Sequence, residues 1–489
     1  MSYRHWLMLV ACLLPGAIGA PDLAAQTLNL EPLPPIDAVL QPVGYEDYFD
    51  VGSVVEPGAI APLPAPPGGP PPTAAMTPPA CPPQDEACPH CPCADCCCWP
   101  CECPCPPAAC LPCPRINLIN PCWQLLVGGN ITLDMLFNSS RPVAPGTPFF
   151  LTPSGPFSDS TFDMHARQTT MYFALMGPQM GNFRSGGLIL FNLYNDSVSA
   201  DRYGFLPYQA YGELKNEYWR FAGGLQSDIF APLLPTVLPF SYLMASGNTG
   251  VFRGQLRAER FFYPAFAEQI TFTAGISEPI STVYNNSTLV TGSTALTEDN
   301  GIPDLEMRLA WAVGPESQVG LETRRPFEVG ISTVLGQIRT TFAPPLTRVV
   351  DDVWGVAADF RWRVNDLWGF SGELFHGQTL GTYGGGVFQN VNSVTFTPVH
   401  ATGGWLQFDW YYTPCLHSHF GFGVDDPANS ELALGQIGLN QTVFANLIWD
   451  LNTSFRIAGE LTFRETDYVG PAALSNDGVG IQGQMQWKF

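Results

Sequence analysis

The residues most able to do chemistry in this 489-residue chain are cysteines, and thirteen of the fifteen lie between positions 81 and 122. Their C-x-C and C-x-x-C spacings suit either disulfide bonds or the binding of a soft metal by thiolates. They are Cys81, Cys88, Cys91, Cys93, Cys96, Cys97, Cys98, Cys101, Cys103, Cys105, Cys110, Cys113 and Cys122. An exported segment meets an oxidising compartment, which favours disulfides, within the segment or between chains. The odd count leaves an intermolecular bridge, a free thiol or a partner in Cys415.

A second cluster combines a thiol and two imidazoles. Cys415, His417 and His419 share one face of a strand and could bind zinc or copper. The simpler interpretation is polar lining at a strand end, so we expect no metal and no cofactor. The chain has no G-x-S-x-G elbow, no P-loop and no H-E-x-x-H motif. We therefore predict no catalytic residues and no enzymatic activity.

The chain divides into three parts. Residues 1–25 have the basic start, apolar middle and small-residue end of a signal peptide. Residues 26–122 are rich in proline, which opposes helix and sheet, so we predict a disordered Pro/Cys-rich linker. Its default interpretation is a cross-linked, unstructured tether. The remaining residues, 123–489, are predicted to form the folded domain.

Composition limits what that domain can be. Charged residues make up 13% of the chain and hydrophobic ones 46%, which excludes disorder throughout. Outside the N-terminus no run of 18 apolar residues occurs, so a helical membrane protein is excluded too. The net charge of −22 argues against a nucleic-acid partner.

The folded part alternates apolar and polar residues with a period of two, which predicts β-strands. In the last segment Val479, Ile481 and Met485 alternate with Gln482 and Gln484. Such strands suit a soluble sandwich or a transmembrane barrel. Segments of about ten residues, charged residues on the polar faces and an aromatic C-terminus favour the barrel. The terminal Trp487 and Phe489 look like the assembly signal that barrel-assembly machinery reads.

Sixteen strand segments can be counted, and an even number is typical of bacterial barrels. They begin near positions 123, 162, 184, 203, 217, 251, 266, 303, 327, 348, 367, 403, 416, 439, 454 and 478. Short and long connections alternate, as periplasmic turns and external loops do. This rhythm places the N-terminal segment in the periplasm. Residues 231–250 form the third external loop, an apolar segment that could constrict a pore, contact a trimer partner or act as a lid; we favour constriction.

Alternation also predicts which charged residues face the lumen. The proposed pore-lining residues are Arg167, Arg220, Arg253, Arg257, Arg308, Arg361, Arg363, Arg456, Arg464, Glu306, Asp359 and Glu460. Asp163, Asp228 and Glu373 share those faces. Cross-strand ion pairs would stiffen the wall. The surplus of nine arginines over six acids predicts a positive field that favours anions.

Several stretches resemble the DcaP-like porins of the Gram-negative outer membrane. They are residues 162–170 (FDMHARQTT), 404–410 (GWLQFDW), 421–427 (GFGVDDP), 440–446 (NQTVFAN), 463–470 (FRETDYVG) and 486–489 (QWKF). The resemblance covers roughly 123–489. It implies a trimer of sixteen-stranded channels that admit small organic anions such as dicarboxylates. Some members carry an N-terminal coiled coil, which the prolines of this chain forbid.

The sequence thus predicts an all-β, sixteen-stranded outer-membrane porin for passive diffusion of small hydrophilic solutes. The expected partners are outer-membrane lipid, two further copies of the chain, the barrel-assembly machinery and cell-envelope components that contact the Cys-rich segment. The alternative is a structural envelope protein that is cross-linked through its cysteines and uses the barrel as a membrane anchor. That alternative predicts a plugged lumen, whereas a porin requires an open one.

Overall fold

The computed structural model describes residues 123–194, 202–250, 252–279, 296–299, 301–319, 322–342, 347–470 and 474–489. The predicted signal peptide and the Pro/Cys-rich segment, with its thirteen cysteines, lie outside these residues. Among the described residues, no helix is long and apolar enough to cross a membrane.

Twenty β-strands make up nearly all the regular structure in the described part of the chain. They are β1 (Gln124–Asn138), β2 (Thr161–His165), β3 (Thr170–Met180), β4 (Phe183–Tyr194), β5 (Tyr203–Lys215), β6 (Trp219–Ser227), β7 (Phe252–Phe262), β8 (Glu268–Ser277), β9 (Leu296–Asp299), β10 (Asp304–Val313), β11 (Ser317–Val319), β12 (Glu322–Arg324), β13 (Phe327–Phe342), β14 (Thr347–Arg363), β15 (Trp368–Gln378), β16 (His400–Thr413), β17 (Leu416–Pro427), β18 (Ile437–Asn452), β19 (Phe455–Tyr468) and β20 (Asn476–Lys488). Three short 3-10 helices, Leu380–Tyr383, Gly386–Phe388 and Asn429–Glu431, lie in connections between strands.

Sixteen of these strands form one closed antiparallel circuit. It runs through β1, β3 to β8, β10 and β13 to β20, and β1 closes it by pairing with β20. β2 continues the line of β3 along β1, and β9 continues that of β10 along β13. β11 and β12 form a small hairpin between β10 and β13. The domain is therefore a sixteen-stranded antiparallel β-barrel, which confirms the fold predicted from the sequence.

Fifteen of the sixteen predicted strand starts lie within three residues of the start of a circuit strand, the largest difference among them being position 403 against His400. The start predicted near 162 matches β2, which begins at Thr161, whereas the circuit strand β3 begins only at Thr170, because a turn at residues 166–169 separates the two. The connections at one end of the barrel are mostly short; we call this the short-turn end, and it includes residues 181–182, 216–218, 414–415 and 453–454. The opposite, long-loop end includes residues 139–160, 228–251 and 379–399. The predicted alternation of short and long connections is confirmed.

The two faces of the wall have opposite polarity. On β20 the side chains of Val479, Ile481 and Trp487 are exposed on the outside, whereas Gln482 and Gln484 are buried on the inside. A soluble protein would bury the apolar face instead. An apolar exterior around a polar interior is the arrangement of a transmembrane barrel.

Exposed aromatic residues gather where the strands reach the short-turn end. They are Tyr218, Trp219, Phe262, Tyr263, Phe266, Trp311, Trp362, Tyr412, Trp449, Trp487 and Phe489. Several stack on their neighbours; Trp219 and Phe221 have ring centroids 5.5 Å apart. Amphipathic rings favour the level of lipid headgroups, so this girdle marks one boundary of an apolar band.

Candidate functional site

The lumen is narrowed by the segment 229–250, which we call the collar. It leaves the wall after β6 and is held inside the barrel by hydrogen bonds to inward-facing side chains. At its start, the backbone N–H groups of Ile229 and Phe230 donate to Glu306 Oε2 at 2.6 and 2.9 Å. Ser277 Oγ donates to the other oxygen of Glu306 at 2.5 Å. The Glu306 carboxylate is completely buried, and its hydrogen bonds fix the start of the collar to the wall.

Further along, the collar is tied to the opposite wall. The Thr236 N–H donates to Gln407 Oε1 at 2.6 Å, and the Leu238 N–H donates to Glu460 Oε2 at 2.9 Å. Asn446 Nδ2 donates to the Thr236 carbonyl at 2.8 Å. Buried backbone groups must find partners, and here the wall supplies them. The inward course predicted for this loop is what the structure shows.

The end of the collar packs against a glycine in the barrel wall. A Cβ atom on Gly423 would lie 2.1 Å from the Ser246 carbonyl oxygen, which is far closer than contact distance. Next to this notch, Ser246 Oγ and Thr442 Oγ1 are 2.9 Å apart, and Asn440 Nδ2 donates to the Ala245 carbonyl at 2.6 Å. The absence of a side chain at Gly423 lets the collar backbone lie directly on the sheet.

A second inward loop, residues 379–399, is joined to the collar through a buried arginine. Arg253 pairs with Asp228 at 2.6 and 3.0 Å and lies 3.7 Å from the ring centroid of Tyr383. The Tyr383 hydroxyl donates to Asp304 Oδ2 at 2.7 Å. Burial raises the pKa of Tyr383 well above its usual range, so the phenol stays neutral and keeps its proton for this bond.

Apolar residues of three loops also meet inside the long-loop end. Phe149 and Phe150 of the first loop pack with Met244 of the collar and with Phe388 of the second inward loop. The Phe149 and Phe388 rings meet edge to face with centroids 5.2 Å apart. These contacts narrow the lumen at this end of the described barrel.

Below the collar, toward the short-turn end, lies a water-accessible cavity of about 690 Å³, which we call the charged chamber. Among the residues that the structure describes, six basic and six acidic ones line it. They are Arg184, Lys215, Arg257, Arg308, Arg325 and Arg361, with Glu213, Glu217, Asp228, Glu259, Glu316 and Glu328. The charges of the chamber therefore balance.

Two ladders of alternating charge run across the chamber wall. In ladder one, Arg220 contacts Glu213 and Glu259 at 2.5 Å each, and Arg257 Nε is 3.2 Å from Glu259 Oε1. The order along β5, β6 and β7 is thus acid, base, acid, base. The threonine-bearing strand β8 separates this ladder from ladder two.

Ladder two has the same composition on β10, β13 and β14. Arg308 contacts Asp359 at 2.5 Å and Glu328 at 2.8 Å, and Arg361 contacts Glu328 at 3.1 Å. A Cβ on Gly330 would lie 2.7 Å from both the Arg308 guanidinium and the Asp359 carboxylate. Glycine at this position therefore lets Arg308 reach across β13 to its partner.

On the other side of the collar lies a smaller cavity of about 90 Å³, which we call the amide chamber. Its polar lining consists of Asn130, Thr132, Gln168, Thr170, Asn192, Tyr208, Thr236, Tyr242, Gln484 and Gln486, together with Arg456. Arg456 makes two hydrogen bonds of 2.8 Å with Asp450. The chamber thus has amide and hydroxyl chemistry with one neutralised cation among its described lining residues.

The structure brings the predicted lumen residues together only in part. Arg257, Arg308 and Arg361 line the charged chamber, and Arg456 lines the amide chamber. Arg220 and Asp359 lie behind the charged chamber in its ladders, whereas Arg253, Glu306 and Glu460 anchor the two inward loops. Arg167 pairs with Asp163 between β2 and β3, and Arg464 is buried on β19. Arg363 donates to the carbonyls of Asn365 and Asp366 at the short-turn end.

The predicted arginine surplus needs correction. The sequence-based count omitted acids that share the inner face, namely Glu213, Glu259, Asp304, Glu328 and Asp450, and each of them contacts an arginine. A signal for two of them was present in the sequence. Glu259 follows Arg257 by two residues and Glu213 precedes Lys215 by two, so the period of a strand puts each pair on one face.

The structure places Cys415 outside the strand that carries the two histidines of the predicted cluster. Cys415 lies in a turn, is partly exposed and forms no disulfide within the described residues. His417 and His419 are buried on β17, with His417 Nδ1 and His419 Nε2 2.8 Å apart. His419 Nδ1 also contacts Asp409 at 2.6 Å. The described part of the chain contains no group of three or more His, Cys, Asp or Glu side chains arranged to hold a metal ion.

Comparison with known proteins finds similarity at the level of structure. The crystal structure of the outer-membrane channel DcaP of Acinetobacter baumannii aligns with a TM-score of 0.58 and 14% identity, covering 75% of this chain and 97% of that one. Salmonella typhi OmpF in complex with daunomycin gives a TM-score of 0.47 and 11% identity, covering 75% and 97%. No protein-family model matches the sequence, and no curated protein matches it. The likeness to DcaP shows a shared barrel fold.

Proposed function

We propose that this protein is a porin that lets small hydrophilic solutes diffuse passively across the outer membrane of a Gram-negative-type cell. The observation that carries the proposal is the closed sixteen-stranded barrel with an apolar exterior and a polar, cavity-containing interior. A barrel of this size encloses more space than its own side chains can fill. The fold shared with the DcaP channel supports the same function.

The orientation is part of the proposal. Bacterial barrels have short periplasmic turns and longer external loops, so the short-turn end would face the periplasm. Both Gln124, at the start of β1, and Phe489 lie at this end, which would put the Pro/Cys-rich segment in the periplasm as well. The signal peptide, disulfide cross-links in that segment, assembly by the barrel machinery and trimerisation complete the proposed biology.

The finer part of the proposal is a preference for small organic anions. The resemblance to DcaP-like porins implies it, and four of the predicted lumen arginines line the two cavities. Because most of these arginines have acidic partners, the expected preference is modest rather than exclusive. Carboxylate-bearing solutes are the class that the lining arginines would bind.

Single-channel recording from the purified full-length protein in planar bilayers tests the proposal. We expect conductance steps in groups of three, and a reversal potential in a salt gradient that reports modest anion preference. Absence of conductance from folded protein, judged by its heat-modifiable migration in gels, would contradict the porin function. Single, ungrouped steps would contradict the trimer, and cation preference would contradict the anion preference.

The second candidate function is a structural envelope protein that uses the barrel as an anchor. The observation that favours it is the packing of three loops inside the long-loop end, which narrows the lumen. This function predicts folded barrels without conductance and disulfide-linked multimers that separate only on reduction. Bilayer recording and gel migration with and without a reducing agent therefore distinguish the two functions.

A further inference from the structure

The charged chamber combines two kinds of surface that one solute could contact together. Its wall carries the two charge ladders, each with two acids and two arginines. Its other side is the start of the collar, where Ile229, Pro232 and Leu233 line the cavity. Residues 229–250 contain no charged side chain at all. The chamber is thus charged with both signs on one side and apolar on the other.

We propose that the charged chamber binds solutes that carry a carboxylate and an ammonium group on a short apolar body, such as apolar α-amino acids. This inference rests on the proposed porin function and narrows its solute class. Such a solute has no net charge; its carboxylate would contact the same arginines on which the proposed anion preference rests, and the ammonium group is the added requirement. A volume of about 690 Å³ lies within the range of small-ligand sites.

The end of ladder one offers adjacent contacts for both charged groups. Arg257 contacts Glu259 through Nε, and its Nη1 donates to the Ser227 carbonyl at a long 3.3 Å. Its guanidinium therefore keeps donors for a solute carboxylate. Glu259 Oε1 accepts a hydrogen bond from Arg220 Nη1 and lies near Arg257 Nε. Its Oε2 can therefore accept a hydrogen bond from the ammonium group of a solute. Opposite charges separated by a few ångströms on the wall match those of an amino acid.

Because each ladder contains as many acids as arginines, the chamber disfavours solutes that carry charge of one sign only or no charge. A dicarboxylate that reached Arg257 would bring its second carboxylate close to Glu213, Glu259 or Glu328, and like charges at short range repel. A cation that lacks a carboxylate is likewise repelled by the arginines of the ladders. An uncharged apolar molecule would displace water from the ladders without replacing its hydrogen bonds. A zwitterion replaces those hydrogen bonds, because its ammonium group donates to the acids and its carboxylate accepts from the arginines.

The apolar body of the solute has its own partner. Pro232 and Leu233 face the cavity from the collar, whose backbone is fixed by Glu306 and Glu373. A fixed apolar surface binds without the entropy cost of ordering a loop. The collar therefore acts as the apolar half of the site, and longer aliphatic side chains should bind more strongly than short ones.

The test uses the full-length protein in planar bilayers and three solutes of one shape: leucine, 4-methylpentanoate and leucinamide. The quantity measured is the solute concentration that halves the ion current. We expect leucine to halve it at about a tenfold lower concentration than either analogue, which corresponds to one added charge-assisted contact. Glycine should need a higher concentration than leucine because it lacks the apolar body.

Two variants give opposite signatures. Arg257→Gln should weaken the block by both leucine and 4-methylpentanoate, whereas Glu259→Gln should weaken the block by leucine and strengthen that by 4-methylpentanoate. Arg257→Lys should restore most of the effect and shows that the wall has folded. The matched control is Arg260→Gln on the same strand, because Arg260 contacts the outward rings of Trp219 and Phe262; it should leave the block by leucine unchanged.

The outcomes separate this inference from the proposed function. No ion conductance would overturn both. Conductance with equal or stronger block by 4-methylpentanoate would overturn the zwitterion site and leave the porin standing. Equal effects of Arg257→Gln and Arg260→Gln would also overturn the site, because the second arginine lies outside the chamber.

Discussion

The charged chamber and the amide chamber lie on either side of the collar. Both hold polar side chains that need partners in a confined space, and the two walls supply those partners differently. The wall of β5 to β14 places full charges in the lumen and pairs them in ladders. The wall of β1 and β20 relies mainly on amides; Gln482 and Gln484 both donate to Asp134 Oδ1, at 2.8 and 2.9 Å. Charges in a confined space need partners, whereas amides can partner backbone and side chains alike.

The difference shows which side can select solutes. The charged chamber is more than seven times larger and contains every ladder charge that a solute could contact. The amide chamber is narrow, and its single lining cation is neutralised by Asp450. We therefore expect changes to the collar and the ladders to alter conductance and selectivity, and changes to the amide chamber to alter neither.

Loss of the collar anchor should have the largest effect. Glu306→Ala removes the acceptor for two buried backbone N–H groups and for Ser277. We expect the free energy of unfolding to fall by about 3 kcal/mol, because buried donors left without partners are costly. Urea unfolding in detergent measures this change, and bilayer recording should show a noisier, larger conductance.

Glu306→Gln is the matched control for that change. It keeps one oxygen that can accept from the collar, so it should recover more than half of the lost stability. An alanine variant that unfolds and conducts like the wild type would mean that Glu306 does not hold the collar. The two chambers would then not be separated as described.

Neutralising one ladder base should have the next largest effect. Arg308→Gln leaves Glu328 and Asp359 with less compensation, so the charged chamber becomes net negative. We expect the cation-to-anion permeability ratio to rise about twofold, since lining charge sets the preference of a wide pore. The reversal potential in a salt gradient measures this ratio.

The comparison variant for Arg308 is Arg456→Gln, which removes the same charge from the amide chamber. Asp450 keeps a contact of 3.0 Å with Lys488 after that change. The reversal potential of this variant should therefore stay at the wild-type value, whereas that of Arg308→Gln should shift. Equal shifts in the two variants would show that ions pass through both chambers.

Much of the fold could be predicted from the sequence because the period of two is a local property of each strand. The start of β17 at Leu416 and that of β13 at Phe327 coincide with the prediction. The inward direction of Glu306 followed from the same period. Its role did not follow, because its partners are the backbone N–H groups of Ile229 and Phe230, which lie far away in sequence.

The lumen charge was the part least predictable from alternation. Alternation places Arg308 on the inner face, but its ionic contacts with Glu328 and Asp359 become known only from the register of three strands. Gly330, which makes room for the contact, has no signature in a single sequence. Pairing is a property of the folded wall, so a residue count along the chain overestimated the positive field.

Filling the glycine notch should have a moderate effect. Gly423→Val puts carbon atoms where the Ser246 carbonyl lies, so the collar must move away from the wall. We expect a destabilisation of about 1–3 kcal/mol, which is typical of overpacking, and a change in conductance. Urea unfolding and single-channel recording measure both. Gly459→Val, on the outer face of β19, is the control and should change neither, because a Cβ there would meet only the Gln482 carbonyl oxygen at an ordinary contact distance of 3.9 Å.

The smallest effect should come from Gln486→Leu in the amide chamber. Gln486 Oε1 has no hydrogen-bond partner among the described residues, and its Nε2 makes only a long contact of 3.5 Å with Thr132. Replacing this amide with an apolar group of similar size therefore removes little, and stability should change by less than about 0.5 kcal/mol. Conductance and reversal potential should equal those of the wild type, because the pathway passes through the other chamber. A clear drop in conductance would instead place the amide chamber on the pathway, and the larger charged chamber would then be a side vestibule rather than the selective part of the channel.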